Sequence, residues 1–184
     1  MPIPDANLEA LSAFAEIAAE FCRFIDSLRA GKPKNLYTTL EAILPRLQQG
    51  ILPVQKEMAE QKHPEFDALR MTHEQWEDIA DVIGKTVAPE TKDLSSWHEE
   101  NLSDDPGVAN LAECAATHAM MLWDDLADIY RDLQDGLSLW RTGTPDSQAE
   151  AAWQWRWGYE YHWGEHLFRA MLTVHEIYYQ FCQE

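Results

Sequence analysis

Arg141-Thr142-Gly143-Thr144-Pro145 separates two long helical patterns, and its reading decides the fold. Thr144 suits an N-cap, and Pro145 suits the first helical position, where a missing N–H costs nothing. Upstream, the spacing predicts a helix from about Ala109 to Trp140. Downstream, it predicts one from Pro145 to near Phe181. Helices joined by so short a turn must be antiparallel neighbours.

Helical periodicity extends outward from this hairpin. Leu8, Leu11, Phe14, Ile17, Phe21, Phe24, Ile25 and Leu28 keep the three-and-four spacing of an amphipathic helix that Gly31 and Pro33 end. Leu36, Leu40, Ile43, Leu44 and Leu47 mark a second helix, which Pro45 could kink and the Gly50 to Pro53 stretch could end. Thr72 and Gln75 form a capping-box pattern ahead of a third, shorter helix through Trp76, Ile79 and Ile83. Residues 87–107, with Pro89, Ser95, Ser96, Asp104, Asp105, Pro106 and Gly107, read as a long irregular connection. There is no alternating strand pattern and no internal repeat. The expected fold is an all-α bundle of about five helices, one domain over residues 1–184.

Composition narrows the function classes. Thirty-two acidic against fourteen basic residues give a formal net charge of −18. Such charge disfavours nucleic acid and anionic membranes as partners, since both bind through Lys and Arg. No apolar run approaches the ~18 residues of a membrane span. Cys22, Cys114 and Cys182 form no CxxC pair, and an odd count without a motif suits reduced thiols in the cytoplasm. The N-terminus, Met-Pro-Ile-Pro-Asp, has no signal-peptide pattern.

The two C-terminal helices carry polar residues where core should be. At about 100° per residue, Leu111, Cys114, His118, Met121, Leu122, Asp125, Ile129, Asp132, Gly136 and Leu139 share one face. Trp153, Arg156, Trp157, Glu160, Trp163, Gly164, Leu167, Met171 and Val174 share another. Buried charge must be paired. A reversal near Gly143 sets Asp132 beside Arg156, Asp128 beside Glu160, and Asp125 beside His162 or Trp163. Trp153, Trp155 and Trp157 alternate, so the last helix should be surrounded by protein. The candidate cluster is Asp125, Asp128, Asp132, Arg156, Glu160, His162 and His166, with Asp125, Asp128, Glu160 and His162 as candidate metal ligands. His63, His73 and His98 read as surface residues near turns, and His175 as the edge of an apolar face.

Two short motifs overlap this cluster. Asp124-Asp125-Leu-Ala-Asp128 spells DDxxD, a magnesium-binding pattern of isoprenoid synthases, without the second acidic run those enzymes use. His162-Trp-Gly-Glu165-His166 spells HxxEH, the inverted zincin pattern, in which two histidines bind zinc and the Glu is the base. Its third ligand has no clear source, and both histidines should point away from the Arg156 and Glu160 face.

Longer stretches carry a resemblance. Asp-Asp-Leu-Ala-Asp-Ile-Tyr-Arg-Asp-Leu (124–133) with Gly136-Leu137, Ala-Trp-Gln-Trp-Arg (152–156) and Glu-Tyr-His-Trp-Gly-Glu-His-Leu (160–167) resemble an uncharacterised bacterial family, domain of unknown function 5063. The resemblance implies a small helical protein with no assigned activity. It also implies that Asp125, Asp128, Tyr130, Asp132, Trp155, Arg156, Glu160, His162, Trp163, Gly164 and His166 belong to the family's pattern. Position 165 is often basic there, so Glu165 as a zincin base is not a family feature.

The sequence favours a non-enzymatic interaction or adaptor protein with a protein partner, or a homo-oligomer, and no required cofactor. The alternative is a small metal-dependent hydrolase or anionic-ligand site on the same cluster, with a divalent metal.

Overall fold

The computed structural model describes residues 5–55, 64–100 and 116–182. Among them lie no strand and seven helices with both ends described: α1 Asp5–Ser27, α2 Leu36–Ile51, α3 Pro64–Asp67, α4 His73–Glu100, α5 Leu122–Thr142, α6 Pro145–Tyr161 and α7 Trp163–Phe181. A single 3₁₀ turn, Leu28–Ala30, carries α1 into Gly31. Helix α2 runs through Pro45 and stops at Ile51, before Pro53. None of these helices is long and apolar enough to cross a membrane.

Helix α5 is the centre, packing against α1, α4, α6 and α7. The hairpin forms as its turn residues dictate. Gly143 caps α5 in the left-handed region, at φ 74°. Ser147 N–H donates to Thr144 Oγ1 at 3.2 Å, and Thr144 N–H donates to Ser147 Oγ at 3.1 Å. At the start of α4, Thr72 N–H donates to Gln75 Oε1 at 2.8 Å and Gln75 N–H to Thr72 Oγ1 at 3.3 Å, the reciprocal pair its sequence predicts.

The structure departs from the sequence reading in four places. First, α4 is longer than expected and continues to Glu100, so residues 87–100 are helix; residues 101–107 lie outside the described set. Ile83, Val87, Thr91, Leu94 and His98 keep the buried period straight through Pro89. Core burial outweighs the proline here, because Pro89 and Lys85, whose carbonyl loses its helical donor, are both exposed. Second, α5 begins at Leu122; residues 116–120 are helical, but Met121 interrupts the two. His118 and Met121, placed on the core face, are exposed, and residues 109–115, Leu111 and Cys114 among them, lie outside the described set. Third, the last helix is two helices, broken at His162, whose φ of −147° and ψ of −89° leave the helical region. Fourth, α6 is not enclosed: Trp155 is fully buried while Trp157 is exposed. The inward face of α6 is Ala151, Ala152, Trp155 and Gly158, not Trp153, Arg156, Trp157 and Glu160.

Trp155 is the keystone of the hairpin. Its ring meets Phe14 of α1 edge-on at 5.1 Å, and Phe14 also stacks near Trp163. A buried indole N–H needs an acceptor. Trp155 Nε1 donates to the Leu133 carbonyl at 3.2 Å, and Trp163 Nε1 donates to the Trp155 carbonyl at 3.0 Å. The second bond folds the start of α7 back over α6 and fixes the break at His162. Helix α5 admits the Trp155 indole only because residue 136 is glycine, where a Cβ would lie 2.0 Å from Trp155 Nε1.

Gly136→Ala therefore forces the hairpin apart and is expected to cost about 3 kcal/mol, the upper range for overpacking a core. Chemical denaturation would read this as a lower midpoint. A midpoint equal to that of the unsubstituted protein would show that Trp155 is not held against α5.

Candidate functional site

The break at His162 decides what faces the acidic row of α5. Had α6 and α7 been one helix, the hairpin register would place Arg156 and Glu160 there. Instead the chain turns at His162, and His162, His166 and Arg169, spaced one and two turns apart, line the α7 side of the contact. The pairing slides by roughly one to two turns from the sequence expectation.

Asp132 thus meets His162 rather than Arg156, with Oδ2 2.7 Å from His162 Nδ1. Asp128 meets both histidines rather than Glu160: its Oδ2 lies 3.3 Å from His166 Nε2 and 3.7 Å from His162 Nε2. Asp125 meets His166 and Arg169 rather than His162 or Trp163. Its Oδ1 lies 2.8 Å from His166 Nδ1 and accepts from Arg169 Nε at 3.0 Å and Nη2 at 2.7 Å. Arg156 and Glu160 stand outside this group and pair with each other at 3.3 Å, with the Arg156 guanidinium 5.7 Å from the centre of the Tyr159 ring. The cluster is therefore Asp125, Asp128, Asp132, His162 and His166, joined by residues the sequence reading did not single out.

Those added residues are Arg169, Arg131 and Trp76, while Asp124, named in the sequence only as part of the DDxxD motif, lies beside Asp125 and His166. Trp76 Nε1 donates to Asp128 Oδ1 at 2.9 Å. Arg131 Nη2 lies 3.1 Å from the same oxygen and 3.5 Å from His162 Nε2. A signal for Arg169 existed, because His162, His166 and Arg169 follow helical spacing and two of them had been noticed. Trp76 comes from α4, far along the chain, and no local pattern announces it.

Both histidines are oriented from behind. A guanidinium can only donate, so neutral His162 accepts from Arg131 at Nε2 and donates from Nδ1 to Asp132. His166 Nδ1 lies 2.8 Å from both Asp125 Oδ1 and Arg169 Nη2: the Nδ1–H tautomer donates to Asp125 and leaves the Nε2 lone pair facing Asp128, whereas the Nε2–H tautomer accepts from Arg169 and donates to Asp128. Each ring is held by one carboxylate at Nδ1 and presents Nε2 to a second, Asp128. Asp125 itself has no exposed surface, and its Oδ2 is buried without a hydrogen-bond partner among the described residues.

Two trios have ligand atoms within 4.8 Å of one another: Asp128 with His162 and His166, and Asp124 with Asp125 and His166. The second has a cation beside it already, since Arg169 bonds the Asp125 carboxylate. The first brings His162 Nε2 and His166 Nε2 within 3.7 Å of Asp128 Oδ2, with Arg131 beside His162 and Arg169 beside His166. Its His162 side chain is 34% exposed, so the group is open to solvent. Trp76 also lines a groove of about 580 Å³ with Gly84, Val87, Met120 and Trp123, beside the cluster. Glu165, the base of the zincin pattern, points outward with 80% of its side chain exposed and pairs with Arg169 at 2.6 Å, which removes it from the site. His98, read as a surface residue, is buried and lies 3.3 Å from Glu176. His73 is exposed, His175 is exposed and 3.0 Å from Glu41, and His63 lies outside the described residues.

The hydrogen bond to Asp132 raises the His162 pKa above its ordinary 6.5, against a smaller opposing effect of burial, with Asp132 and Asp128 adding charge attraction. Burial and the nearby Asp128 carboxylate raise that of Asp124. A raised histidine pKa contributes stability that is full below 6.5 and is lost as pH rises through the folded value. Asp132→Asn is expected to lower the His162 midpoint in an NMR titration of metal-free protein and to flatten that loss. An unchanged midpoint would mean that Asp132 does not hold the ring.

Comparisons with known proteins agree with the helical architecture and assign no activity. The chain resembles the crystal structure of protein BF1032 from Bacteroides fragilis, a structural genomics target, with a TM-score of 0.66 at 24% identity, over 91% of this chain and 93% of that one. That likeness is of fold. No curated protein matches the chain. The profile of the domain of unknown function DUF5063 matches residues 6–180, so the chain belongs to that family.

Proposed function

We propose that this protein binds a divalent transition-metal ion through His162 Nε2, His166 Nε2 and Asp128 Oδ2, with a coordination position left open. The observation that carries this reading is the convergence of two Nε2 atoms on one carboxylate oxygen, with both Nδ1 atoms held by other carboxylates. Metal-binding histidines characteristically donate their second N–H to a carboxylate or carbonyl, which fixes the tautomer and strengthens the ligand. Asp132 and Asp125 stand in that position at 2.7 and 2.8 Å. Trp76 does the same for Asp128, occupying Oδ1 and leaving Oδ2.

The distances are of the size a bound ion needs. Metal–ligand bonds of 2.0–2.1 Å at tetrahedral angles set ligand atoms roughly 3.3 Å apart. Asp128 Oδ2 is 3.3 and 3.7 Å from the two histidine nitrogens. Two imidazoles and one carboxylate suit zinc, ferrous iron or manganese better than magnesium or calcium, which prefer oxygen ligands. Three protein ligands characterise catalytic rather than structural zinc sites, where the fourth position carries water whose pKa falls to about 7. The chemistry favoured is metal-assisted hydrolysis or reversible binding of a small ligand at that position.

A second reading, the protein-interaction module, draws support from a different surface. Trp153 stacks on Trp157 at 5.6 Å and Trp157 meets the tilted Tyr161 ring at 5.4 Å along the outside of α6, and Tyr161, Phe168 and Leu172 are each at least half exposed. Exposed apolar rows of this kind mark partner surfaces. If this surface joins two copies, Leu172→Ser should shift a dimer to monomer in analytical ultracentrifugation; a monomer before substitution would remove that form of the reading.

The metal reading is tested by melting metal-stripped protein with Zn²⁺ or Mn²⁺ at about a hundredfold excess over Kd. The expected rise is on the order of 5 °C, absent in His162→Ala and in Asp128→Asn. No rise with either ion, or an equal rise in both variants, would contradict it.

A further inference from the structure

Metal binding alone does not explain Arg131. Its guanidinium lies where a cation would oppose the metal: 3.1 Å from Asp128 Oδ1, 3.7 Å from Asp132 Oδ1 and 3.5 Å from His162 Nε2. It is steadied from one side by Trp76, whose ring centre is 5.9 Å from Cζ. Its side chain is 32% exposed, so it borders the solvent-open side of the trio along with His162.

We infer that the open metal position takes a small oxyanion, a carboxylate or phosphate, and that Arg131 is its second point of attachment. This rests on the metal reading above. Without metal, Arg131 supplies the cation that Asp128 needs and donates toward the His162 lone pair. A divalent ion claims both Asp128 Oδ2 and that lone pair. Two cations would then share one carboxylate, and the repulsion between them is relieved by an anion bridging them. A planar guanidinium has five donors in a fixed fork and matches an oxyanion edge with two parallel hydrogen bonds. Arg169, the other arginine of the cluster, is already committed to Asp125 and Glu165. Arg131 thus competes with the metal when no anion is present and cooperates with it when one is.

Calorimetry on the full chain separates these roles, with zinc titrated first and then inorganic phosphate or acetate. Zinc should bind Arg131→Gln at least as tightly as the unsubstituted protein, because a competing cation is gone. Phosphate or acetate should bind the zinc-loaded protein and should bind at least tenfold more weakly to the metal-free protein and to zinc-loaded Arg131→Gln. Preference between the two anions identifies which oxyanion chemistry the site takes. Equal anion affinity with and without Arg131, or no anion binding to a zinc-loaded protein, overturns the inference and leaves the metal site standing. Weaker zinc binding in Arg131→Gln overturns the competition. Failure of zinc to bind either protein overturns the metal reading itself.

Discussion

A carboxylate with no exposed surface cannot remain ionised in a protein interior unless cations or hydrogen-bond donors meet it. Asp125 sits fully buried on the central helix, and the arrangement of α7 follows from that need. Arg169 brings two donors to one of its oxygens and His166 brings a ring nitrogen to the same oxygen. Those contacts fix the rotation of α7 about its axis, and with it the direction of His162 and the rows that face one another between α5 and α7. Among the described residues, the other oxygen of Asp125 is buried and has no hydrogen-bond partner.

The break at His162 makes this possible. Trp163 donates to the Trp155 carbonyl, and Trp155 is in turn locked into α5 through Leu133 and the space left at Gly136. An aromatic lock and a polar cluster are therefore mechanically connected: the packing of two indoles sets the chain direction that presents two imidazoles. Rigid support of that kind is what the proposed ligand set requires, since ligand atoms must be held near productive geometry by side chains that cannot relax away.

Much of the architecture was legible in the sequence, and the losses have physical causes. The hairpin at Gly143, the capping box at Thr72 and the N-cap at Thr144 follow from local chemistry and form as expected. The continuation of α4 through Pro89 did not, because a proline is a local signal while the buried run of Ile83, Val87, Thr91 and Leu94 is a tertiary one. Polar residues at core spacing flagged Asp125, Asp128 and Asp132, but their partners were assigned by assuming one straight helix after Pro145. A break held by an indole hydrogen bond eight residues back leaves no pattern in spacing. Arg156 and Glu160 were thereby drawn into the cluster, and Arg131, Arg169 and Trp76 were left out.

X-ray absorption at the zinc edge of the loaded protein tests the central claim most directly. Two imidazole nitrogens and a carboxylate oxygen at about 2.0–2.1 Å, with one further light-atom ligand, are the expected shell. A shell without imidazole, or one unchanged when His162 and His166 are both replaced by alanine, would contradict it.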